Sequence, residues 1–129
     1  MMHVTGEPTA DRLVLRGLRA RGHHGVFDFE RRNGQEFVVD VELGLDTRAA
    51  AASDDLSAAV HYGELAERLH AAVSSDRVSL IETLAQRLAG VCLSESAVDW
   101  VNVTVHKPGA PISVAFDDVS LTIHRSRHD

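Results

Sequence analysis

The chain has 129 residues, of which 44% are hydrophobic and 25% are charged, an ordinary composition for one globular domain. The formal net charge of -6 argues against a nucleic-acid partner, because neutralising phosphates requires many Lys and Arg side chains. A single cysteine, Cys92, excludes an internal disulfide, and no apolar run approaches the roughly 20 residues that cross a bilayer. We therefore expect a cytoplasmic protein that binds neither membrane nor nucleic acid.

Two strands are predicted in the first third of the chain. Residues 12–21 carry alternating apolar side chains up to Gly17, which predicts a strand with a bend or bulge at that glycine. Residues 36–46 alternate with a period of two and predict one strand of a half-buried sheet. The glycine-containing stretch 22–34 between them predicts a long hairpin connection.

Two helices are predicted in the middle of the chain, after an Ala-rich stretch that is interpreted as an irregular link. Apolar residues at helical spacing predict a first helix that ends at about Ser75. These residues are Leu65, Leu69 and Val73. Ser79 followed by Glu82 is typical of a capping box, and the apolar stripe behind it predicts a second helix that ends near Leu93.

Alternating apolar and polar residues around Val103 and around Leu121 predict two further strands. The order is therefore ββααββ in one domain at residues 11–129, preceded by a loose tail at 1–10 that lacks the pattern of a secretion signal. Strand hairpins at each end with helices in the middle predict an α+β fold. We expect an antiparallel four-stranded sheet with two helices on one face.

The polar residues that stand at loops or element ends are Glu30, Tyr62, Glu82 and Lys107. Glu30 could be an exposed loop charge, and Tyr62 could be a core or interface residue. Glu82 could simply cap its helix, and Lys107 could be a solvated turn lysine. Lys107 opens a connection that contains proline and glycine, 107–112, and the rigidity of this connection would fix where the ammonium group points.

The eight histidines invite a metal interpretation that their spacing does not support. No His-x-x-x-His pair lies in a predicted helix, and one cysteine excludes the thiolate-rich zinc patterns. The common phosphate-binding loop and the serine nucleophile elbow are also absent. We therefore expect no metal site and no cofactor.

Several separated motifs follow one another between about Asp11 and Arg125. They occupy residues 24–30, 35–37 with Asp40, 61–64, 80–85, 107–112 and 116–119. Each motif alone is weak, but their order and spacing resemble those of the dihydroneopterin aldolase family. One departure is Ser113, where many family members have proline, and it loosens a loop next to Lys107.

The resemblance implies the tunnelling fold, in which sheets from four subunits close into a barrel and two such rings stack. We therefore expect a homo-octamer with sites at subunit interfaces, since barrel closure removes exposed sheet edges. The implied reaction belongs to folate biosynthesis. It cleaves a reduced pterin, 7,8-dihydroneopterin, to 6-hydroxymethyl-7,8-dihydropterin and glycolaldehyde, with 2'-epimerisation to dihydromonapterin as a side reaction. It requires neither a metal nor a Schiff base, because the pterin ring carries its own C=N bond.

The same resemblance implies a role for each candidate residue. Glu82 resembles the glutamate that pairs with the pterin's amino group and ring N–H, and Ile81 would add a backbone contact. Tyr62 resembles a tyrosine from an adjacent subunit that covers the pterin and assists proton transfer. Glu30 resembles the carboxylate near the reacting side chain, and Lys107 resembles the catalytic lysine that acts as acid and base.

Two other functions stay open on the sequence. A dihydroneopterin triphosphate epimerase of the same fold would share the pterin pocket. Arg31 and Arg32 beside Glu30 could hold its triphosphate, although a solvated loop explains these arginines as well. The chain could also be a pterin-binding or assembly protein without catalysis, in which case the four candidate residues would have no catalytic role.

Overall fold

The computed structural model describes residues 10–128, and four strands in this range form one antiparallel sheet. The strands are β1 (Arg12–Gly22), β2 (Gln35–Leu45), β3 (Val98–His106) and β4 (Ser120–Ser126). They lie in this order across the sheet, and every neighbouring pair is antiparallel. The predicted four-stranded antiparallel sheet is confirmed. Apart from Ala10, the predicted tail lies outside the described residues.

The predicted irregularity at Gly17 is a bulge in β1. The pairing of β1 with β2 shifts register between Leu15 and Leu18, and Gly17 has a φ of 77°. This left-handed conformation is open to glycine without the steric penalty of a side chain. The Gly17 amide donates a hydrogen bond to Asp40 Oδ1 of β2 at 2.7 Å. The bulge therefore fixes one carboxylate oxygen on the polar face of the sheet.

The described residues contain four α-helices where two were predicted. In chain order they are α1 (Asp28–Asn33), α2 (Arg48–Ser53), α3 (Tyr62–Ser74) and α4 (Ile81–Leu93), with a 3-10 turn at Leu56–Ala58. α3 and α4 lie where the apolar spacing predicts them. The stretch 22–34 is the predicted hairpin connection between β1 and β2, but it contains α1, which was not predicted. α2 corrects the interpretation of its segment as an irregular link. Both helices have six residues, too few to show the repeated apolar spacing on which the prediction rests.

The core lies between one face of the sheet and the two long helices. α3 packs on β1, and α4 packs on β3 and β4. The largest fully buried aliphatic and phenyl side chains are Phe37, Leu43, Leu65, Leu69, Leu84 and Leu88. Each such side chain contributes about 1.5–3 kcal/mol relative to full exposure. This layer holds the sheet rigid, so that its ends can position functional side chains.

α4 does not begin with the predicted capping box. Its N-cap is Leu80, which makes no side-chain capping hydrogen bond, and the helix starts at Ile81. Glu82 is therefore the second helical residue, not the third, and its side chain is exposed. Ser79 lies one residue before the N-cap and does not cap the helix, and the residue before it, Val78, is bonded to His24.

His24 fastens the loop after β1 to the connection between α3 and α4. The residue is 1% exposed, and its Nε2 lies 2.7 Å from the carbonyl oxygen of Val73. Its Nδ1 accepts a hydrogen bond from the Val78 amide at 3.0 Å, so the ring is the neutral tautomer that donates through Nε2. The Gly25 amide adds a bond to the Val78 carbonyl at 3.0 Å. Burial lowers the pKa of His24 below its ordinary value, which keeps the ring neutral.

We expect acid to destabilise the protein through His24. The unfolded histidine takes up a proton below its ordinary pKa of 6.5, whereas the folded one resists protonation to a lower pH. The stabilisation is complete above pH 6.5 and is lost as the pH falls through the lowered pKa of the folded state. The free energy of unfolding, measured by urea titration, should fall by up to about 1.4 kcal/mol per pH unit from this group. His70→Gln removes an exposed histidine and should leave the dependence of the unfolding free energy on pH as in wild type. The same dependence in His24→Gln would contradict the prediction.

Candidate active site

An ion pair joins α1 to the end of β3. Lys107 directly follows β3, and its Nζ lies 2.6 Å from Glu30 Oε2. The two side chains are only 13% and 2% exposed, respectively. The interpretations of Lys107 as a solvated turn lysine and of Glu30 as an exposed loop charge are therefore wrong. The structure brings these two candidate residues into direct contact.

Glu30 is surrounded by hydrogen-bond donors. It is the third residue of α1, and its Oε1 accepts a bond from the backbone amide of Phe27 at 3.3 Å. Its Oε2 accepts a bond from Gln35 Nε2 at 3.1 Å and faces Lys107. Burial alone would raise the pKa of Glu30, but the hydrogen bonds from Lys107, Gln35 and Phe27 outweigh it and hold the pKa below its ordinary value. The carboxylate is therefore ionised at neutral pH.

Gly25 leaves the space that the Glu30 carboxylate occupies. A Cβ at Gly25 would lie 2.4 Å from Glu30 Oε1, closer than any real Cβ contact. The residue also has a φ of 148°, a conformation that side-chain-bearing residues rarely adopt. The loop between β1 and α1 can therefore carry only glycine here if Glu30 is to point inward.

Gln35 is a site residue to which the sequence assigned no role. It begins β2, donates to Glu30, and has a buried Oε1 with no hydrogen-bond partner among residues 10–128. A Cβ at Gly109 would lie 3.1 Å from this oxygen, so the connection after Lys107 packs closely against it. Gln35 lies within one of the recognised motifs, but a glutamine at the start of a strand is usually a solvated residue. Only the contact with Glu30 distinguishes a glutamine of the site from a solvated one.

Ile81 and Glu82 open α4 at the same end of the sheet as the ion pair. The connection before α4 bonds to the loop before α1 through Gly25 and Val78. Ile81 packs partly against the core, whereas Glu82 is exposed. Within residues 10–128, the Glu82 carboxylate has no ion pair or hydrogen bond, so it is free to accept donors from a ligand.

Tyr62 lies at the opposite end of the sheet from Lys107. It is the first residue of α3, is 64% exposed, and lines a groove of about 170 Å³ together with Leu45 at the end of β2. Glu30 instead contacts Gln35 at the beginning of β2. The length of β2 separates these two positions by roughly 33 Å. One chain therefore does not bring Tyr62 to Lys107.

The arginines beside Glu30 have different environments. Arg31 is partly buried, and its Nε donates to the Gly25 carbonyl at 3.3 Å. Arg77 donates to the same carbonyl at 3.2 Å, so both guanidinium groups support the loop. Arg32 is exposed. Arg31 is thus engaged in holding the loop before α1, which weakens the case for it as a triphosphate ligand.

No set of three or more His, Cys, Asp or Glu side chains within residues 10–128 is placed to hold a metal ion. None of the helices in the described part of the chain has the length and apolarity to span a membrane. Cys92 is buried in α4, and burial raises the pKa of its thiol to about 12. The thiol is therefore a core group and not a nucleophile.

The fold and the ion pair together define a class of protein. A rigid sheet end that holds a buried Lys–Glu pair beside a free carboxylate has the groups for binding a polar small molecule and moving protons on it. This arrangement is that of a small enzyme domain, and comparison with known proteins identifies the family.

The family model for dihydroneopterin aldolase (FolB) matches residues 13–124. The dihydroneopterin aldolase of Streptomyces coelicolor is 62% identical over 117 residues, which cover 91% of this chain and 98% of that protein. The crystal structure of a FolB protein from Vibrio cholerae has a TM-score of 0.84 at 30% identity, covering 92% of this chain and 99% of the other. Escherichia coli dihydroneopterin aldolase in complex with neopterin has a TM-score of 0.81 at 32% identity, covering 90% and 99%. The chain belongs to the dihydroneopterin aldolase family, as the motifs indicate.

Proposed function

We propose that Lys107 and Glu30 form the reacting half of the site in which this chain carries out the dihydroneopterin aldolase reaction of folate biosynthesis. The observation that carries this proposal is the 2.6 Å contact between Lys107 Nζ and Glu30 Oε2, buried at the end of the sheet. The substrate is 7,8-dihydroneopterin, and the products are 6-hydroxymethyl-7,8-dihydropterin and glycolaldehyde. Neopterin in the Escherichia coli relative supports a ligand of this chemical class.

The dihydropterin ring supplies the electron sink for the reaction. Its C=N bond adjoins the side chain, so protonation of that nitrogen lets the ring accept the electron pair of the bond that breaks. A base removes the proton of the 2'-hydroxyl, the C1'–C2' bond breaks, and glycolaldehyde leaves. An acid then protonates C1' of the enamine-like intermediate, and the ring nitrogen returns its proton as the neutral C=N bond is restored. The protein has to supply proton transfer and orientation.

Lys107 is the residue we assign to these proton transfers, directly or through a water molecule and without an imine. Its short connection to β3 and its contact with Glu30 limit where Nζ can lie, which suits a reaction that depends on orientation. The ionised Glu30 carboxylate fixes the amine and is available to the hydroxyl groups of the reacting side chain.

Glu82 is the residue we assign to anchoring the pterin. A free carboxylate can accept two parallel hydrogen bonds, and the amino group and ring N–H of a pterin present two such donors on one edge. The exposed position of Glu82 at the N-terminal end of α4 supports this assignment. The backbone of Ile81 beside it offers a further polar contact.

Tyr62 completes the site from a neighbouring subunit in this proposal. Its distance from Lys107 within one chain requires a second copy if the tyrosine is to cover the pterin. β1 and β4 are also open sheet edges, which closure into a barrel of four subunits removes. Several exposed apolar side chains beside Glu30 in sequence or in the connection after Lys107 suit burial in such an interface, namely Phe27, Phe29, Val114 and Phe116. Two stacked rings would form the octamer, and its cytoplasmic location stays a prediction.

The reaction is tested with chelator-treated protein that is given 7,8-dihydroneopterin and, separately, its triphosphate. We expect 6-hydroxymethyl-7,8-dihydropterin and glycolaldehyde from the unphosphorylated substrate, resolved by chromatography. Dihydromonapterin in the same mixture would reveal the epimerase side reaction. Epimerisation of the triphosphate alone would support the rival epimerase, and turnover of neither substrate would overturn the catalytic proposal.

The sharing of sites between subunits is tested by mixing inactive variants. Lys107→Met and Tyr62→Phe should each lower kcat by about 10²-fold or more while leaving the fold intact. After dissociation and joint reassembly at equal amounts, about a quarter of the sites should carry both native residues and recover activity. Lys107→Met mixed with Glu30→Gln is the control and should recover nothing, because both residues come from the same subunit. Recovery in the control, or none in the first mixture, would contradict the shared site.

The anchoring role predicts that Glu82→Gln weakens pterin binding. Loss of a hydrogen-bonded charge should raise the Kd for neopterin roughly ten- to a hundredfold, measured by fluorescence titration. The thermal unfolding midpoint should not change, because the carboxylate has no partner among residues 10–128. Glu67→Gln on the exposed face of α3 is the matched control. An unaltered Kd for the Glu82 variant would remove Glu82 from the site.

A further inference from the structure

His106 lies between two carboxylates on the polar face of the sheet. It is the last residue of β3 and immediately precedes Lys107. Its Nε2 lies 2.8 Å from Asp40 Oδ2 of β2, and its Nδ1 lies 2.6 Å from Asp118 Oδ2 in the connection that leads to β4. The His106 and Asp40 side chains are partly buried, whereas Asp118 is exposed. The imidazole therefore bridges the sheet and the connection that carries Lys107.

The two contacts require both ring nitrogens to donate. An ionised carboxylate oxygen only accepts hydrogen bonds, so an imidazole between two carboxylates must carry a proton on each nitrogen. The hydrogen bonds to Asp40 and Asp118 accordingly raise the pKa of His106 above its ordinary value. Burial would raise the pKa of Asp40, but the donors His106 and Gly17 hold it below its ordinary value. The ring is a cation clamped by two anions.

The charged groups around His106 come from three parts of the fold. Asp40 reaches it from β2 and Asp118 from the connection after β3. Arg19 of β1 lines the same shallow cavity but pairs with Glu36 at 3.2 Å. Arg16 of β1 acts on Asp40 and lowers the pKa of that carboxyl. Two anions in direct contact therefore dominate the field at the ring.

Bonds at its two ends hold the connection between β3 and β4, residues 107–119, in place. At its start, the Lys107 amide donates to the Val119 carbonyl at 2.8 Å and the Lys107 side chain contacts Glu30. Residues 111–119 between these ends are exposed. The bond from His106 to Asp118 fastens the far end to a strand. Because Asp40 is itself held by the bulge in β1, His106 links the connection to the centre of the sheet.

We propose that His106 is a positioning residue for the reaction, a cation that holds Asp40 and Asp118 together so that Lys107 Nζ stays against Glu30. This inference rests on the catalytic role proposed for Lys107. Loss of a ring proton would set a nitrogen lone pair against a carboxylate and release one end of the clamp. Small displacements of a catalytic group strongly lower the rate of the chemical step. Substrate binding should change little, because Glu82, the residue proposed to anchor the pterin, belongs to another element, α4.

The pH dependence of this clamp has a definite sign. The pKa of His106 is raised in the folded state, so the clamp is complete below the ordinary pKa of 6.5 and is lost as the pH rises through the raised value. His106→Gln retains a donor but cannot carry the charge. We expect its kcat to fall about tenfold, with KM within about twofold of wild type. The decrease of kcat at alkaline pH that deprotonation of His106 causes should disappear from the pH profile.

Asp118→Asn keeps the side-chain shape and removes one anion, which makes it a second variant if His106→Gln folds poorly. Its alkaline limb should move to lower pH, because the ring has lost one of the carboxylates that stabilise its charge. His124→Gln is the matched control. His124 lies on the same face of the sheet with its Nδ1 2.7 Å from the neutral Asn102 Oδ1, and its loss should leave kcat and the pH profile unchanged.

Nuclear magnetic resonance separates this inference from the catalytic role of Lys107. With labelled histidine and lysine, both ring nitrogens of His106 should be protonated at neutral pH, and the Lys107 side-chain signal should shift in His106→Gln and Asp118→Asn. A shifted lysine signal with normal kcat would support positioning and overturn the catalytic role of Lys107. An unshifted lysine signal in both variants, or a neutral His106 ring, would overturn the positioning role whatever the activity.

Discussion

The buried contact between Lys107 and Glu30 is the interaction on which the organisation of this end of the molecule depends. Removing two charges from water costs several kcal/mol per ion unless partners and hydrogen bonds compensate. The compensation comes from separate segments: the first turn of α1, the beginning of β2 through Gln35, and Gly25, which leaves room for the carboxylate. Such a pair is a poor way to gain stability, since a well-packed apolar pair would serve as well. The proton transfers proposed for this site need an amine and a carboxylate held together, and they account for the pair better than stability does.

Two histidines with opposite protonation requirements stabilise the segments that hold this pair. His24 precedes Gly25 and must be neutral, because an amide donates to its Nδ1. His106 precedes Lys107 and must be charged, because carboxylates face both of its nitrogens. Burial lowers the pKa of the first, and two anions raise the pKa of the second. The sheet end is therefore fully supported between the lowered pKa of His24 and the raised pKa of His106, and a pH outside that range on either side loosens a different segment.

The sequence predicts the elements whose side chains repeat over several turns or residues, and it fails where a contact between distant segments decides the outcome. The alternation in β2 and the apolar stripes of α3 and α4 each repeat often enough to be recognised. The capping box predicted at Ser79 is wrong, since the helix begins one residue later and the backbone before it is bonded to His24, a residue more than fifty positions away. Glu30 and Lys107 are far apart in sequence, so no spacing rule pairs them. Their positions at a loop and a strand end made them candidates, and the family resemblance supplied their roles. His106 was considered only as one of the eight histidines.

The separation of Tyr62 from Lys107 follows from the architecture and explains why the proposed site needs two subunits. A strand of β2's length places its two ends roughly 33 Å apart, and the packed helices prevent the sheet from folding back on itself. Each chain therefore presents an ion pair at one end and a tyrosine at the other. If the tyrosine end of one subunit meets the ion-pair end of the next, the contact is head-to-tail, and such contacts close into rings when the rotation permits. In that ring every subunit contributes once to two sites, so the number of complete sites equals the number of subunits.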